Sequence, residues 1–368
     1  ASNNTAIGVS SLRANTTGHS GVAVGALALD ANTTGEENTA VGKNALGANT
    51  TASYNTSMGS SSMLVNTTGA NNVALGVNAL KSNTTASNNT GIGFGALVAN
   101  TTGTSNTAVG AYALDANTTG DTNTALGQNA LGANTTGNGN VAIGYQALIK
   151  NTTANYNVAI GENSQFAHLT GTNNVAVGAY SLDANESSSN NTAIGDSSLT
   201  SSTAGQNTAL GYASLTNLTT GTYNIGIGYN ANSSAVDSSG QCTLGDGQIS
   251  NLRCNDTSIS SLSDSRDKTD VINSPYGLEF INTVRPVQFK WETRDGNVKD
   301  GSTRIGFLAQ ELLSATDGNN AILDLVHDDN PDKLEAKYGN LLPILVKAIQ
   351  ELSAQNAELT TRITTLEG

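Results

Sequence analysis

Residues 106–122 read N-T-A-V-G-A-Y-A-L-D-A-N-T-T-G-D-T, and the same seventeen-residue pattern recurs from Asn4 to about Gly245. The consensus repeat is N-T-A-[VIL]-G-x-x-[AS]-L-x-A-N-T-T-G-x-x, whose positions are numbered here from 1 to 17. Position 5 is glycine in every repeat, and the register slips once, by one residue, between Gly195 and Gly211. A period of seventeen is too short for a helix pair and fits one coil of a β-solenoid or β-roll.

Each repeat has the features of one such coil. A short apolar strand at 107–109 precedes a turn at Gly110, a second short segment at 113–114 and a polar turn at 117–120. Position 4 is aliphatic or Met, and position 9 is Leu or Met except at Gln165 and Asn232, so stacking predicts two apolar ladders. The position-5 glycine predicts a positive φ or a contact that no Cβ permits. The position-1 Asn predicts a ladder of hydrogen-bonded amides, and about 4.8 Å per coil predicts a rod roughly 65 to 70 Å long.

Composition excludes several classes of function. With 37% hydrophobic but only 4% aromatic residues, 368 residues lack the large side chains of a single conventional globule. The net charge is -13 and the repeats contain few Lys or Arg, which argues against a nucleic-acid partner. No apolar run approaches the roughly 20 residues of a membrane span, so no membrane insertion is expected. The histidines are scattered, and Cys242 and Cys254 are free or paired, so neither a metal nor another cofactor is predicted.

The N-T-T turn also fits the acceptor pattern for N-glycosylation. Two interpretations stay open. The turns carry a row of glycans if the chain passes through a glycosylating pathway, and otherwise they are bare turn-forming residues. The candidate acceptors are Asn15, Asn32, Asn49, Asn66, Asn83, Asn100, Asn117, Asn134 and Asn151.

The repeats resemble those in the heads of trimeric autotransporter adhesins, and related repeats occur in phage fibres. The resemblance rests on segments such as N-T-A-V-G at 106–110 and N-V-A-I-G at 140–144. The adhesin repeat is typically a few residues shorter. The resemblance implies a parallel β-roll assembled as a homotrimer.

The last third of the chain has a different composition. Trp291, all four prolines and most Lys and Arg follow a Ser-rich stretch at 257–265. We therefore expect a repeat shaft at 1–247, a linker with a cleavage region at 248–262, an α+β domain at 263–340 and a C-terminal helix at 341–368. Within the domain, 284–291 and 304–309 are predicted strands, 295–297 a turn and 310–315 a helix.

Heptad spacing predicts that the C-terminal helix forms a parallel coiled coil with two other chains. One helix that covers its own domain is the alternative. The predicted a and d residues are Leu342, Leu345, Ile349, Leu352, Asn356, Leu359, Ile363 and Leu366.

Residues 263–268 read S-D-S-R-D-K and resemble the S-D-x-R-x-K opening of the endosialidase-type intramolecular chaperone domain of phage tail spikes and fibres. The segments R-P-V-Q-F-K-W at 285–291, G-F-L-A-Q-E at 306–311 and the start of the C-terminal helix extend this resemblance. It implies a domain that trimerises the chain and then cuts it near its own first serine. The implied nucleophile is Ser263 and the general base Lys268, with Asp264 and Arg266 holding the geometry. The cut is expected at Leu262-Ser263, or directly after the serine.

The leading hypothesis is therefore a homotrimeric phage fibre in the virion, mainly β, with a trimeric parallel β-roll or β-solenoid shaft and an α+β chaperone domain that ends in a coiled coil. It acts as an enzyme only on itself, and its external partner is a host-surface glycan or receptor. One alternative is a glycosylated adhesin at the cell surface or outside the cell. The other is a glycan-degrading spike, which is disfavoured because the shaft has few of the paired carboxylates and aromatic platforms that such an enzyme needs.

Overall fold

The computed structural model describes residues 1–246, 248–249, 263–290, 301–332 and 334–368. The chain divides into two compact units, Ala1–Asp246 and Gly247–Gly368. No helix within the described ranges has both the length and the apolar character that crossing a bilayer requires.

The first unit is a parallel β-solenoid with one three-residue strand in each coil, which confirms the predicted fold of the shaft. Each strand pairs in register with the strand of the next coil, as Thr107, Ala108 and Val109 pair with Thr124, Ala125 and Leu126. The strands form one 15-stranded sheet in chain order. They are β1 Thr5–Ile7, β2 Val22–Val24, β3 Thr39–Val41, β4 Thr56–Met58, β5 Val73–Leu75, β6 Thr90–Ile92, β7 Thr107–Val109, β8 Thr124–Leu126, β9 Val141–Ile143, β10 Val158–Ile160, β11 Val175–Val177, β12 Thr192–Ile194, β13 Thr208–Leu210, β14 Ile225–Ile227 and β15 Cys242–Leu244.

The second short segment of the repeat forms turns rather than a strand. Leu114 has a φ of +52°, and leucines at the same position in other coils are also in the left-handed region. The Leu114 N–H donates to the Ala130 carbonyl of the next coil at 3.0 Å. The segment therefore joins neighbouring coils through its backbone without having an extended conformation.

The core of the shaft is narrower than the sequence suggests. Ala108, Ala113 and Leu114, at positions 3, 8 and 9, are fully buried, and their equivalents in the other coils stack with them. The position-4 residues also stack in register, but they face outwards, and Leu126 is 45% exposed. Because side chains alternate across a strand, the buried Ala at position 3 places positions 2 and 4 on the outer face. Within one chain, only one of the two predicted apolar ladders is therefore buried.

The glycine prediction is confirmed in both of its forms. Gly110 has a φ of +137°, a conformation that side chains rarely adopt. A Cβ on Gly110 would also lie 2.5 Å from the Gly127 carbonyl oxygen of the next coil. Position 5 therefore needs glycine both for its backbone conformation and for the close approach of successive coils.

The second unit combines short helices with two antiparallel hairpins. Its core contains Phe280, Leu312 and Leu325, against which the start of the last helix packs. The predicted strands at 284–291 and 304–309 appear as a shorter pair, and the predicted turn at 295–297 lies outside the described residues. The elements are α1 Leu278–Ile281, β16 Val287–Lys290, β17 Thr303–Gly306, α2 Ala309–Ala315, α3 Asn320–Leu323, β18 Val326–His327, β19 Glu335–Ala336 and α4 Leu341–Glu367, with 3-10 turns at Ser265–Asp267 and Tyr338–Asn340.

The helix α4 uses two different faces. Leu341, Ile344 and Ala348 are buried, and the helix contacts α1 of its own unit. The predicted a and d residues lie on another face and are exposed, with Ile349 at 66% and Leu359 at 51%. The alternative of a helix that covers its own domain thus accounts for the first face only, and the heptad stripe remains uncovered in a single chain.

Two glycines of one coil give a matched test of the stacking constraint. Gly42 has a φ of +135°, and its Cβ would lie 2.6 Å from the Gly59 carbonyl oxygen, whereas a Cβ on Gly47 would meet nothing closer than 3.4 Å. We expect Gly42→Ala to lower the free energy of unfolding by at least about 1–3 kcal/mol. Gly47→Ala is expected to change it by less than about 1 kcal/mol. Denaturant titration measures both, and equal losses would contradict the proposed role of position 5.

Candidate functional site

A short turn brings the predicted nucleophile and base together. Asp264 caps the 3-10 turn at Ser265–Asp267, because its Oδ1 accepts a hydrogen bond from the Arg266 N–H at 2.9 Å. The chain then folds back so that Lys268 Nζ lies 2.5 Å from Ser263 Oγ. Five residues of separation in the sequence thus become direct contact between the two groups.

The remaining two site residues fix this turn. Arg266 Nε donates to Asp264 Oδ1 at 3.0 Å, and Arg266 Nη2 lies 2.5 Å from Asp264 Oδ2. The hydrogen bonds from Arg266 lower the pKa of the Asp264 carboxyl, and Asp264 raises the pKa of Arg266. Both side chains are solvated, so the pair orients the turn and adds little to stability. Their part in cleavage stays a prediction.

The protonation state of the lysine decides what the pair can do. Lys268 is exposed, and an ammonium donates to a serine hydroxyl instead of accepting its proton. A neutral amine, which burial or a cationic neighbour favours, is needed for a general base. The nearby Arg266 cation is already paired with Asp264. In a single chain the two groups are therefore in place but remain in water, and Leu262, on the other side of the expected cut, lies outside the described residues.

Two contacts that were not predicted connect the motifs of the second unit. Arg285 Nε donates to Glu311 Oε2 at 3.0 Å, which joins the segments at 285–291 and 306–311. This hydrogen bond raises the pKa of Arg285. The two residues belong to the segments that carry the family resemblance and have opposite charges, a signal that was available in the sequence.

The second contact connects α4 to α1. Glu351 Oε2 accepts from the Leu278 N–H at 2.8 Å, and this hydrogen bond lowers the pKa of Glu351. A Cβ on Gly277 would lie 2.4 Å from the same oxygen, so a larger residue there would displace the Glu351 carboxylate. No periodicity in the sequence indicates a contact between positions this far apart.

The position-12 asparagines form an uninterrupted ladder of amides. Asn117 Nδ2 donates to Asn100 Oδ1 at 2.8 Å and to the Gly120 carbonyl at 3.0 Å, and Asn134 Nδ2 donates to Asn117 Oδ1. The same amide-to-amide bond joins every candidate acceptor from Asn15 to Asn151. Each asparagine of this ladder forms one rung, and both amide hydrogens of a typical rung are therefore used in hydrogen bonds inside the shaft.

The predicted amide ladder at position 1 is also present, although its amide-to-amide bonds are fewer than those at position 12. Asn123 Nδ2 donates to Asn106 Oδ1 at 3.2 Å, and the same bond recurs at four other pairs of coils. Asn106 Oδ1 also accepts from the backbone N–H of Asn123, and Asn106 Nδ2 donates to the Gly120 carbonyl. The position-1 amide therefore bonds mainly to backbone groups at the corner of the coil. The asparagines at both positions are buried, so the shaft contains a second amide ladder, at position 12, that the sequence did not indicate.

Metal ligands do not gather within the described residues, since no group of three or more His, Cys, Asp or Glu side chains is close enough to hold an ion. Cys242 is exposed and Cys254 lies outside the described residues, so their pairing stays open.

Comparison with known proteins identifies one family. Residues 263–319 match the family model of peptidase S74, the chaperone of endosialidase. A comparison with curated proteins found no match, and neither did a comparison with solved structures. The family match and the solenoid shaft together support an intramolecular chaperone domain in a fibre-like protein.

The ladder leads to a prediction about glycosylation. The candidate acceptors from Asn32 to Asn151 are at most 2% exposed, and a sugar on Asn117 would replace amide hydrogen bonds within the shaft. We therefore expect the folded chain to carry no sugar on these residues even when a glycosylating host produces it. Intact and peptide mass spectrometry measure this, and hexose on Asn117 in the folded fraction would contradict the expectation.

Proposed function

We propose that this protein is a homotrimeric fibre of a phage virion, and that its C-terminal domain aligns three chains and then cleaves the chain at Leu262-Ser263. The contact between Lys268 Nζ and Ser263 Oγ, within the segment that matches the peptidase family, carries this proposal. The fibre attaches to a glycan or receptor on the host surface. A fibre on a cell surface that uses the same chaperone is the alternative.

The proposed cleavage needs only groups of the chain and one water molecule. Ser263 Oγ attacks the carbonyl carbon of Leu262 while the neutral amine of Lys268 takes the hydroxyl proton. The tetrahedral intermediate collapses, the Ser263 amide nitrogen leaves with a proton, and an ester joins the Leu262 acyl group to Ser263 Oγ. Water then hydrolyses the ester and releases the shaft. Each chain completes this reaction once.

The need for a chaperone follows from the repeat itself. Three identical shafts that slip by one seventeen-residue coil regain most of their contacts, because equivalent positions carry similar residues. Non-local β pairing is also slow and prone to aggregation. A domain that trimerises at one end of the shaft removes this ambiguity before the shafts associate.

The outer face of the sheet supports association of the shafts. Positions 2 and 4 of the strands form two rows in which every residue is Thr, Cys, Met or aliphatic, and neither row of the described strands contains a charge. Many of these residues are exposed, including Leu75 at 39% and Leu126 at 45%. Soluble monomers rarely expose a continuous apolar surface of this length. The exposed heptad stripe of α4 offers a second surface, with the spacing of a coiled coil.

Denaturing gels test the cleavage. We expect the wild-type chain to appear as two fragments, and Ser263→Ala to remain full length. Lys268→Arg should also remain full length, because a guanidinium keeps its proton at neutral pH. Ser265→Ala, which retains both proposed catalytic groups, is the control and should be cut. A wild-type chain that trimerises but stays intact would contradict the proposed cleavage.

Light scattering tests the shaft interface after release of the chaperone, by self-cleavage or through a protease site inserted between residues 248 and 262. We expect the double variant Leu75→Lys and Leu126→Lys to give monomeric shafts, because the interface would then bury unpaired charges. Thr85→Lys with Thr136→Lys alters exposed turns of the same two coils and should leave a trimer. Equal masses for the two variants would rule out this face as the interface.

A further inference from the structure

One coil interrupts the regular interior of the shaft. In coil 10, residues 157–173, Gln165 occupies position 9 and His168 occupies position 12. Both side chains are fully buried. The buried apolar residues of the shaft form two separate clusters, one ending at Ala159 and the other starting at Ala176. Apart from Ala159, which belongs to the first cluster, the interior of coil 10 is therefore a polar layer between two apolar cores.

The buried side-chain atoms that lack a hydrogen-bond partner in the described residues all belong to this layer or the rung before it. They are Asn163 Oδ1, Gln165 Oε1 and His168 Nδ1 of coil 10, and Asn151 Oδ1 of coil 9. Each earlier rung of the ladder accepts a hydrogen bond from the asparagine of the next coil, as Asn134 does from Asn151. Asn151 has no such donor because a histidine follows it. The position-12 amide ladder thus ends at coil 10.

The hydrogen bond on the other side of the imidazole ring identifies its tautomer. His168 Nε2 lies 2.7 Å from the Gly171 carbonyl oxygen, which can only accept. The hydrogen of the neutral ring is therefore on Nε2, and Nδ1 is a bare acceptor. The histidine replaces an amide donor with a second acceptor at the rung where Asn151 Oδ1 lacks a donor.

A proton on Nδ1 would put a charge into this layer. Burial lowers the pKa of His168, and polar backbone groups of Gly171 and Asn185 oppose that effect without cancelling it. The folded shaft therefore favours the neutral ring. The stability that the neutral ring confers on the folded shaft is complete above the ordinary histidine pKa of about 6.5. This stability is lost as the pH falls through that value towards the lower pKa of the folded state.

The charged groups of the neighbouring coils do not compensate for this charge. Lys150, Glu162 and Glu186 are exposed, and Lys150 lies over the ring of Phe166, 4.8 Å from its centroid. Asp183 is partly buried, and burial raises the pKa of its carboxyl. None of these groups contributes to the shift of His168. An imidazolium in coil 10 would thus lack a counterion among the described side chains of coils 9 to 11.

We propose that coil 10 is an acid-sensitive break in the shaft, where protonation of the buried His168 ring loosens the stack between coils 9 and 11. Apart from Ala159, the two apolar clusters consist of residues outside coil 10. Mild acid therefore opens the shaft locally and leaves both flanking segments folded. Coil 10 is thus a position in the shaft at which acid interrupts the stacking of successive coils.

Thermal unfolding of the full-length protein between pH 7.5 and 5.0 tests the proposal with His168→Asn, which restores the residue found at the earlier rungs. We expect the melting temperature of the wild type to fall several degrees more than that of His168→Asn over this range. His19→Asn is the matched control, because His19 of coil 1 is partly exposed and pairs with Glu36 of coil 2, and it should retain the wild-type pH dependence. Gln165→Leu should raise the melting temperature at every pH without changing its slope against pH.

Hydrogen exchange followed by mass spectrometry locates the change in the same protein. After correction for the intrinsic effect of pH, loss of protection at pH 5.0 should concentrate in peptides from residues 141–190 and be absent in His168→Asn. Equal pH slopes for wild type and His168→Asn, or uniform loss of protection along the shaft, would overturn the proposal. A melting temperature at pH 7.5 that falls on addition of a chelator would also overturn it, since a metal ion would then satisfy the unpaired acceptors.

Discussion

The close stacking of successive coils at the position-5 glycines is the constraint on which the shaft depends. Parallel pairing sets a spacing of about 4.8 Å, and at Gly110 that spacing leaves no room for a Cβ. The chain then turns through leucines such as Leu114 with a positive φ, a conformation that costs of the order of 1–3 kcal/mol for a residue with a side chain. Burial of a leucine contributes a similar amount, about 1.5–3 kcal/mol. A coil is therefore stable only when its neighbours cover it, as in other repeat proteins.

The same uniformity limits what the repeat can specify. The outer rows at positions 2 and 4 present nearly the same surface in every coil, so under the proposed function they hold the shafts together without selecting one register. The second unit has contacts that occur once, such as Arg285 with Glu311 and Glu351 with the Leu278 N–H. Under the proposed function, these single contacts build the device that aligns the chains, and the repeated contacts hold them afterwards. The register of the chains and the stability of the assembled shaft are thus determined by different parts of the sequence.

Most of the shaft could be predicted from its period, but the direction of its side chains could not. Val109 and Leu126 stack in register as predicted, but the period does not show that they lie on the outer face while Ala108 and Leu114 fill the interior. The amide ladder predicted at position 1 is present, but the more regular ladder at position 12 was not predicted, because the N-T-T pattern is equally typical of an exposed polar turn. At the site, the spacing of Ser263 and Lys268 carries no information alone. Their contact depends on a turn that Asp264 caps. The family motif was the sequence signal that indicated the pairing of Ser263 with Lys268.

The exposure of Lys268 has a consequence for the order of events in the proposed mechanism. A lysine amine has an ordinary pKa of about 10.4, and lowering it to near 7 takes roughly 5 kcal/mol, at about 1.36 kcal/mol per pKa unit. Desolvation by burial can supply a shift of that size, whereas water cannot. In the single chain the site is solvated, so under the proposed function the base becomes competent only once other chains cover it. Cleavage coupled in this way follows assembly, and each shaft is released only after the single-copy contacts of the C-terminal unit have fixed its register.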